Sequence, residues 1–190
     1  VASMLVGNLL ALLQQDIKRL MAYSSIAHFG YLLVVLLALS HASSPDLAVE
    51  AVSYYLVAYL VSTLAVFAVI MQLGPEPNER TDLEYYQGLF WRRPWLALTL
   101  TLGLLSLAGI PLTVGFIGKF YIFAIAVEQQ LWLLLLTLVI ASGIGLFYYL
   151  RLVLLMTYSN TASDSVANDS PTQPWHSGSR LTLISLALLT

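Results

Sequence analysis

The sequence predicts an all-α polytopic membrane protein: a bundle of transmembrane helices, one of them discontinuous. Three observations carry this. Of the 190 residues, 59% are hydrophobic and 9% charged, whereas a soluble domain carries about 25% charged residues. Mean hydropathy is +0.82. The apolar residues fall in runs near the roughly 20 residues that cross a bilayer, separated by short polar connections.

In chain order, "VASMLVGNLLALL" (1–13) reads as a partial span. "LMAYSSIAHFGYLLVVLLAL" (20–39) is a full span holding one histidine, and residues 51–73 are a second without charge. Residues 95–127 are apolar apart from Lys119, and 131–158 form a further span. The stretch 159–180, rich in Ser, Asn, Asp and Pro, reads as a polar linker. Residues 181–190 read as the start of a final span. The chain begins at Val1 and stops inside that apolar run, so it reads as a piece of a longer protein.

Composition also excludes functions. A net charge of −2 argues against nucleic-acid binding. The absence of cysteine removes disulfides, thiolate zinc sites and iron–sulfur ligation. Seven of the eight basic residues lie in or beside alternate connections: Lys18, Arg19, Arg80, Arg92, Arg93, Arg151 and Arg180. By the positive-inside rule the connections at 14–19, 74–94 and 159–180 are cytoplasmic.

The eighth basic residue is Lys119. A continuous helix over 95–127 would be roughly 50 Å long against a hydrocarbon core of about 30 Å. Gly109, Pro111, Gly115 and Gly118 crowd its middle, and Pro111 cannot donate to a helix. Two half-helices, about 95–108 and 116–127, are therefore expected, broken near 109–115. Unwound backbone at membrane depth survives only where protein or a water-filled cavity satisfies it. Lys119 then lies near mid-bilayer, where an unpaired ammonium costs at least about 2.5 kcal/mol. Intramembrane charges mark ion and proton paths, and buried lysines change protonation state readily. Snorkelling to the interface is the competing reading.

His28 also falls near mid-membrane, with Ser24 and Ser25 on the same helix face. It is either a proton relay or a structural histidine bonded to a serine or carbonyl. Lys18 and Arg19 read as a topogenic pair. Glu50 and Glu128 read as solvated acids at the outer surface, with a proton-exit role as the alternative. Tyr54, Tyr55, Tyr59, Tyr148 and Tyr149 read as interfacial or packing residues. Gly103, Gly143, Gly145, Ser106 and Ser142 read as sites of close helix contact.

"QQDIKRLMAYSSIAHFGYLL", "GLFWRRPWLALTLTLGLLSLAGIPLTVGFIGKFYIF" and "ASGIGLFYYLRLVLLMTY" together resemble the antiporter-like membrane subunits of respiratory complex I. The resemblance implies a fourteen-helix subunit built from two inverted five-helix repeats, each with one broken helix. This chain would hold most of the second repeat. It further implies that Lys119 is the proton-carrying lysine of the broken helix, with Lys18 and His28 extending a polar path toward the cytoplasm. Protons would then cross a half-channel centred on Lys119, driven by redox chemistry elsewhere. This chain would hold no cofactor: NADH, FMN, iron–sulfur clusters and quinone would belong to other subunits. The implied partners are other membrane subunits of complex I and the lipid bilayer, with no nucleic acid and no soluble small-molecule substrate. The implied location is a bacterial plasma (inner) membrane. An Mrp-type cation/proton antiporter subunit and a purely structural membrane scaffold are the rival readings.

Overall fold

The computed structural model describes residues 1–39, 45–74 and 81–158. The linker expected at 159–180 and the helix start at 181–190 lie outside the described residues. So do Arg80 and Arg180. Seven helices are described: α1 (Ala2–Leu12), α2 (Ile17–Leu39), α3 (Pro45–Leu73), α4 (Leu89–Arg92), α5 (Pro94–Ala108), α6 (Val114–Glu128) and α7 (Trp132–Thr157). A 3-10 turn at Leu83–Tyr86 precedes α4. Among the described residues three helices are long and apolar enough to cross a membrane: Ile17–Leu37, Val49–Leu73 and Trp132–Thr157. The half-helices α5 and α6 have 15 residues each, about 22 Å apiece, so neither spans the core alone.

Many large apolar side chains face outward. Leu33, Leu64, Leu133, Leu136, Phe147 and Leu154 are all more than half exposed. A protein in water would hide such a surface; one in lipid has no reason to.

The connections near 14–16 and 81–93 meet at one end of the bundle. Asp16 and Asp82 form an isolated antiparallel bridge, with Ile17 N–H donating to Thr81 O (2.9 Å) and Leu83 N–H to Gln15 O (2.8 Å). Trp91 Nε1 donates to Thr157 O at 3.2 Å, bringing the end of α7 to the same side. The described parts of the basic connections thus share one face. Asp16 opens α2, its carboxylate accepting from Arg19 N–H (2.9 Å) and from the Thr81 hydroxyl. Burial alone would raise the Asp16 pKa. The Thr81 hydroxyl and the N–H groups of Arg19 and Lys18 outweigh it and hold the carboxyl below the usual carboxylate value.

Inside the bundle there are two apolar clusters. The one at the Asp16 end gathers Ile17, Leu20 and Met21 of α2, Val69 of α3, Leu100 of α5 and Leu152 of α7. The other gathers Met4, Tyr31, Val35, Ala51, Ile122 and Leu138. Each long helix contributes to both. Between these contributions every one carries polar residues: Ser24 and His28 on α2, Ser62 on α3, Ser142 on α7. A polar layer therefore crosses the bundle between two oily ones, and Lys119 lies in it.

Candidate functional site

The break that places Lys119 is made by a glycine. Gly109 takes a left-handed conformation (φ 80°, ψ 46°), which other residues rarely adopt. The N–H of Gly109 then returns to Ser106 O (3.0 Å) and that of Ile110 to Leu105 O (3.1 Å), closing α5. Pro111 follows the end rather than making it, and only prevents the helix from resuming. Thr113 then caps α6: its hydroxyl accepts from Phe116 N–H (3.4 Å) and donates to Ile110 O (2.7 Å). The second half-helix thus starts two residues earlier than the expected 116.

The halves meet side by side, not end to end. Gly115 N–H donates to the Ser106 hydroxyl (3.2 Å), and a Cβ at Gly115 would collide with the Ser106 carbonyl. Ser62 on α3 lies 2.8 Å from the Ser106 hydroxyl and 2.7 Å from Ala58 O, tying the crossing to a third helix. Lys119 sits one turn beyond Gly115 on the same face.

An α-helix leaves its last four carbonyls without partners. In α5 the turn at Gly109 satisfies those of Leu105 and Ser106. The remaining two, of Leu107 and Ala108, accept from Lys119 Nζ at 2.9 and 2.7 Å. Ser142 Oγ is 3.4 Å from Nζ, and the Tyr31 ring centroid 5.5 Å. All these partners are neutral. A mid-membrane ammonium costs roughly 2.5–3.5 kcal/mol, and a hydrogen bond to a charged group contributes about 1.5–3 kcal/mol. The helix C-terminus adds up to about 2 kcal/mol for a cation. The terms are of similar size, so the site tolerates an ammonium without a carboxylate. Lys119 is 6% exposed and does not snorkel.

His28 is buried in the same layer and bonded to tyrosines, not to the serines on its own face. Its Nδ1 lies 2.6 Å from the Tyr55 hydroxyl and its Nε2 3.5 Å from that of Tyr149. Ser24 bonds the Tyr149 hydroxyl, while Ser25 donates to Met21 O (2.8 Å) and accepts from Tyr59 (2.8 Å). His28 and Lys119 line one cavity of about 10 Å³, together with Tyr55, Ser62 and Ser106. That is about the room a single water requires.

Lys18 is placed elsewhere. It is half-buried in the first turn of α2, ten residues before His28, or about 15 Å along the helix. It neither contacts Lys119 nor lines the cavity. Glu50 and Glu128 are exposed. Among the described residues no group of three or more His, Asp or Glu could hold a metal ion.

Several members of the site escape a reading by residue type. Tyr55 and Tyr149 point their hydroxyls into the layer, and Tyr148 donates to Asn8 Oδ1 (3.0 Å), whose amide donates to Tyr31 (3.0 Å). The available signal was depth: Tyr149 lies eight residues inside the end of α7, too deep for an interfacial belt. Ser106 and Ser142, expected only to permit close packing, contact the break and the lysine. Gly103 and Gly145 do sit against neighbours, but Gly143 faces open space.

Residues 1–145 match the family described as NADH:quinone oxidoreductase/Mrp antiporter, transmembrane. NADH-quinone oxidoreductase subunit N of Methylococcus capsulatus is 57% identical over 156 residues, covering 82% of this chain and 31% of that protein. The chain thus spans about a third of the length of this relative. Respiratory complex I from Thermus thermophilus contains a chain similar over 98% of this one and 40% of its own length, at 34% identity and a TM-score of 0.77. The Mrp complex from Dietzia sp. shares the fold at 21% identity and a TM-score of 0.70, over 84% of this chain and 29% of that one. A family model matching most of the chain, on a helical bundle with a broken helix, decides its kinship: the chain belongs to the NADH:quinone oxidoreductase/Mrp antiporter transmembrane family.

Proposed function

We propose that this chain forms part of a proton-translocating membrane subunit of an NADH:quinone oxidoreductase, with Lys119 as the group that takes up and releases the proton. The observation that carries the reading is a lysine buried at the crossing of two half-helices, held by backbone carbonyls with no carboxylate among its named partners. Nothing in that arrangement locks the amine in its charged form as a tight ion pair would. A lysine on neutral acceptors can surrender its proton when a neighbouring charge changes. His28 lines the same cavity and is a titratable side chain there with which Lys119 can exchange a proton. Lys18, at the basic end of α2, extends the polar path from His28 toward the cytoplasm on this reading.

On this reading the protein sits in a bacterial plasma membrane beside other membrane subunits and lipid, with the basic connections cytoplasmic. NADH, FMN, iron–sulfur clusters and quinone act on other subunits. The 57% identity to a subunit N over 82% of the chain supports this over an Mrp-type antiporter, which shares the fold at 21%.

The test is Lys119→Ala in the assembled complex, with proton translocation and NADH oxidation measured together. Translocation is expected to fall by about 100-fold or more, the low end of what positioned proton-transfer groups contribute. Translocation at the parent level in an assembled variant would leave a structural scaffold as the better reading.

A further inference from the structure

The two nitrogens of His28 face phenols from two different helices. Tyr55 of α3 is 2.6 Å from Nδ1, and Tyr149 of α7 is 3.5 Å from Nε2. Beyond Tyr149 the line continues to the Ser24 hydroxyl. At the other end Tyr55 lines the cavity that Lys119 also lines, and its ring packs against Gly118, the residue preceding the lysine. Four exchangeable side chains from three helices thus form one row ending at the water-sized cavity.

We propose that Ser24, Tyr149, His28 and Tyr55 form a side-chain proton relay that feeds Lys119, with Tyr149 and Tyr55 as relay residues on either side of the imidazole. The proposal rests on the proton-carrying reading of Lys119. A neutral imidazole has one donor and one acceptor nitrogen, so a ring with a phenol at each can take a proton on one side and release another from the opposite side. A proton delivered to Ser24 by water releases the Ser24 hydroxyl proton to Tyr149, which passes its own to Nε2 of the imidazole protonated at Nδ1. The imidazolium releases the Nδ1 proton to Tyr55, and Tyr55 gives its own to water in the cavity, then to Lys119 Nζ. Each hydroxyl loses one proton and gains one, and the imidazole is left as its other tautomer. One charge has moved, and no bond other than O–H and N–H has changed. Other groups facing His28 are the rings of Tyr31 and Tyr59, at 5.5 and 5.0 Å between centroids, and Lys119 across the cavity. Tyr59 is engaged with Ser25 and lies off the row. At 3.5 Å the Tyr149–His28 contact is the weakest link of the row and must shorten for a proton to pass.

Phenylalanine keeps each ring and removes only the hydroxyl, so Tyr149→Phe and Tyr55→Phe test the relay in the assembled complex beside Lys119→Ala. Proton translocation should fall about tenfold in each phenylalanine variant, with a larger slowing in D2O than the parent shows. Because the steps are in series, the double variant should be no slower than the slower single. Independent packing defects would multiply instead, and would not enlarge the D2O effect. If Tyr149→Phe does not assemble, Ser24→Ala interrupts the same row at its other end. Parent-level translocation in the phenylalanine variants, with Lys119→Ala inactive, overturns the relay and leaves the proposed function standing. Parent-level translocation in Lys119→Ala as well overturns both.

Discussion

Asp16 and Lys119 each hold the end of an α-helix, one at the watery end of the bundle and one in its middle. Asp16 sits at the N-terminus of α2 and accepts from Arg19 N–H; Lys119 sits at the C-terminus of α5 and donates to Leu107 and Ala108. Both follow the same electrostatics, an anion where N–H groups are unpaired and a cation where carbonyls are. They differ in what replaces the side chain when it is lost. Water can reach the end of α2, so Asp16 is a convenience of folding. The carbonyls of α5 end in a layer sealed by apolar clusters on both sides, where water is scarce. The cap there is required, and on the proposed function it is also the proton carrier.

The contrast can be broken most severely at Gly115. In Gly115→Ala the new methyl meets the Ser106 carbonyl, so α6 must shift and Lys119 leaves its carbonyls. Overpacking of this kind costs typically about 1–3 kcal/mol, and translocation should fall at least as far as in Lys119→Ala. Thermal denaturation of the assembled complex, beside its translocation rate, checks both halves. Ser106→Ala is milder: it leaves Gly115 N–H without its acceptor, a loss of about 1–3 kcal/mol for a buried donor. It should lower thermal stability and reduce translocation partially. At the other helix end, Asp16→Ala should cost about 1 kcal/mol as a lost N-cap and leave protons per NADH unchanged. A marked drop in that ratio would erase the distinction between the two caps.

The smallest effect is with pH. The Asp16 carboxyl titrates below its unfolded value, so its stabilisation is complete above the ordinary carboxylate pKa. It is lost as pH falls through the lowered folded value. Stability of the Asp16–Thr81 corner should therefore be flat from about pH 7 to 5 and decline only below about pH 4. Hydrogen exchange at Ile17 and Leu83, whose N–H groups make the bridge, reads this directly.

The long helices, the break and the singular position of Lys119 were legible in the sequence, because apolar run length and charge placement are one-dimensional quantities. The tyrosine contacts to His28 were not. Tyr55 and Tyr149 are 27 and 121 positions away from it in sequence, and only the packing of α3 and α7 against α2 brings the hydroxyls together. The expected serines failed as partners for a local reason: Ser25 bonds back to Met21 O within its own helix, and Ser24 turns to α7. The break was located from Gly109, Pro111 and the glycines that follow, and of these Gly109 ends the helix, because its left-handed turn closes two of the free carbonyls. Lys18 was singled out by a motif resemblance alone, and the fold places it in the first turn of α2, about 15 Å from His28 along the helix.

Whether Lys119 is only a cap or also a carrier is decided by Lys119→Arg, with protons translocated per NADH oxidised measured in the assembled complex. An arginine can donate to both carbonyls of α5 but does not give up its proton. The account predicts a complex that assembles, oxidises NADH and translocates fewer protons per NADH than the parent. An arginine variant with the parent ratio would contradict it, leaving Lys119 as a helix cap that a fixed charge replaces.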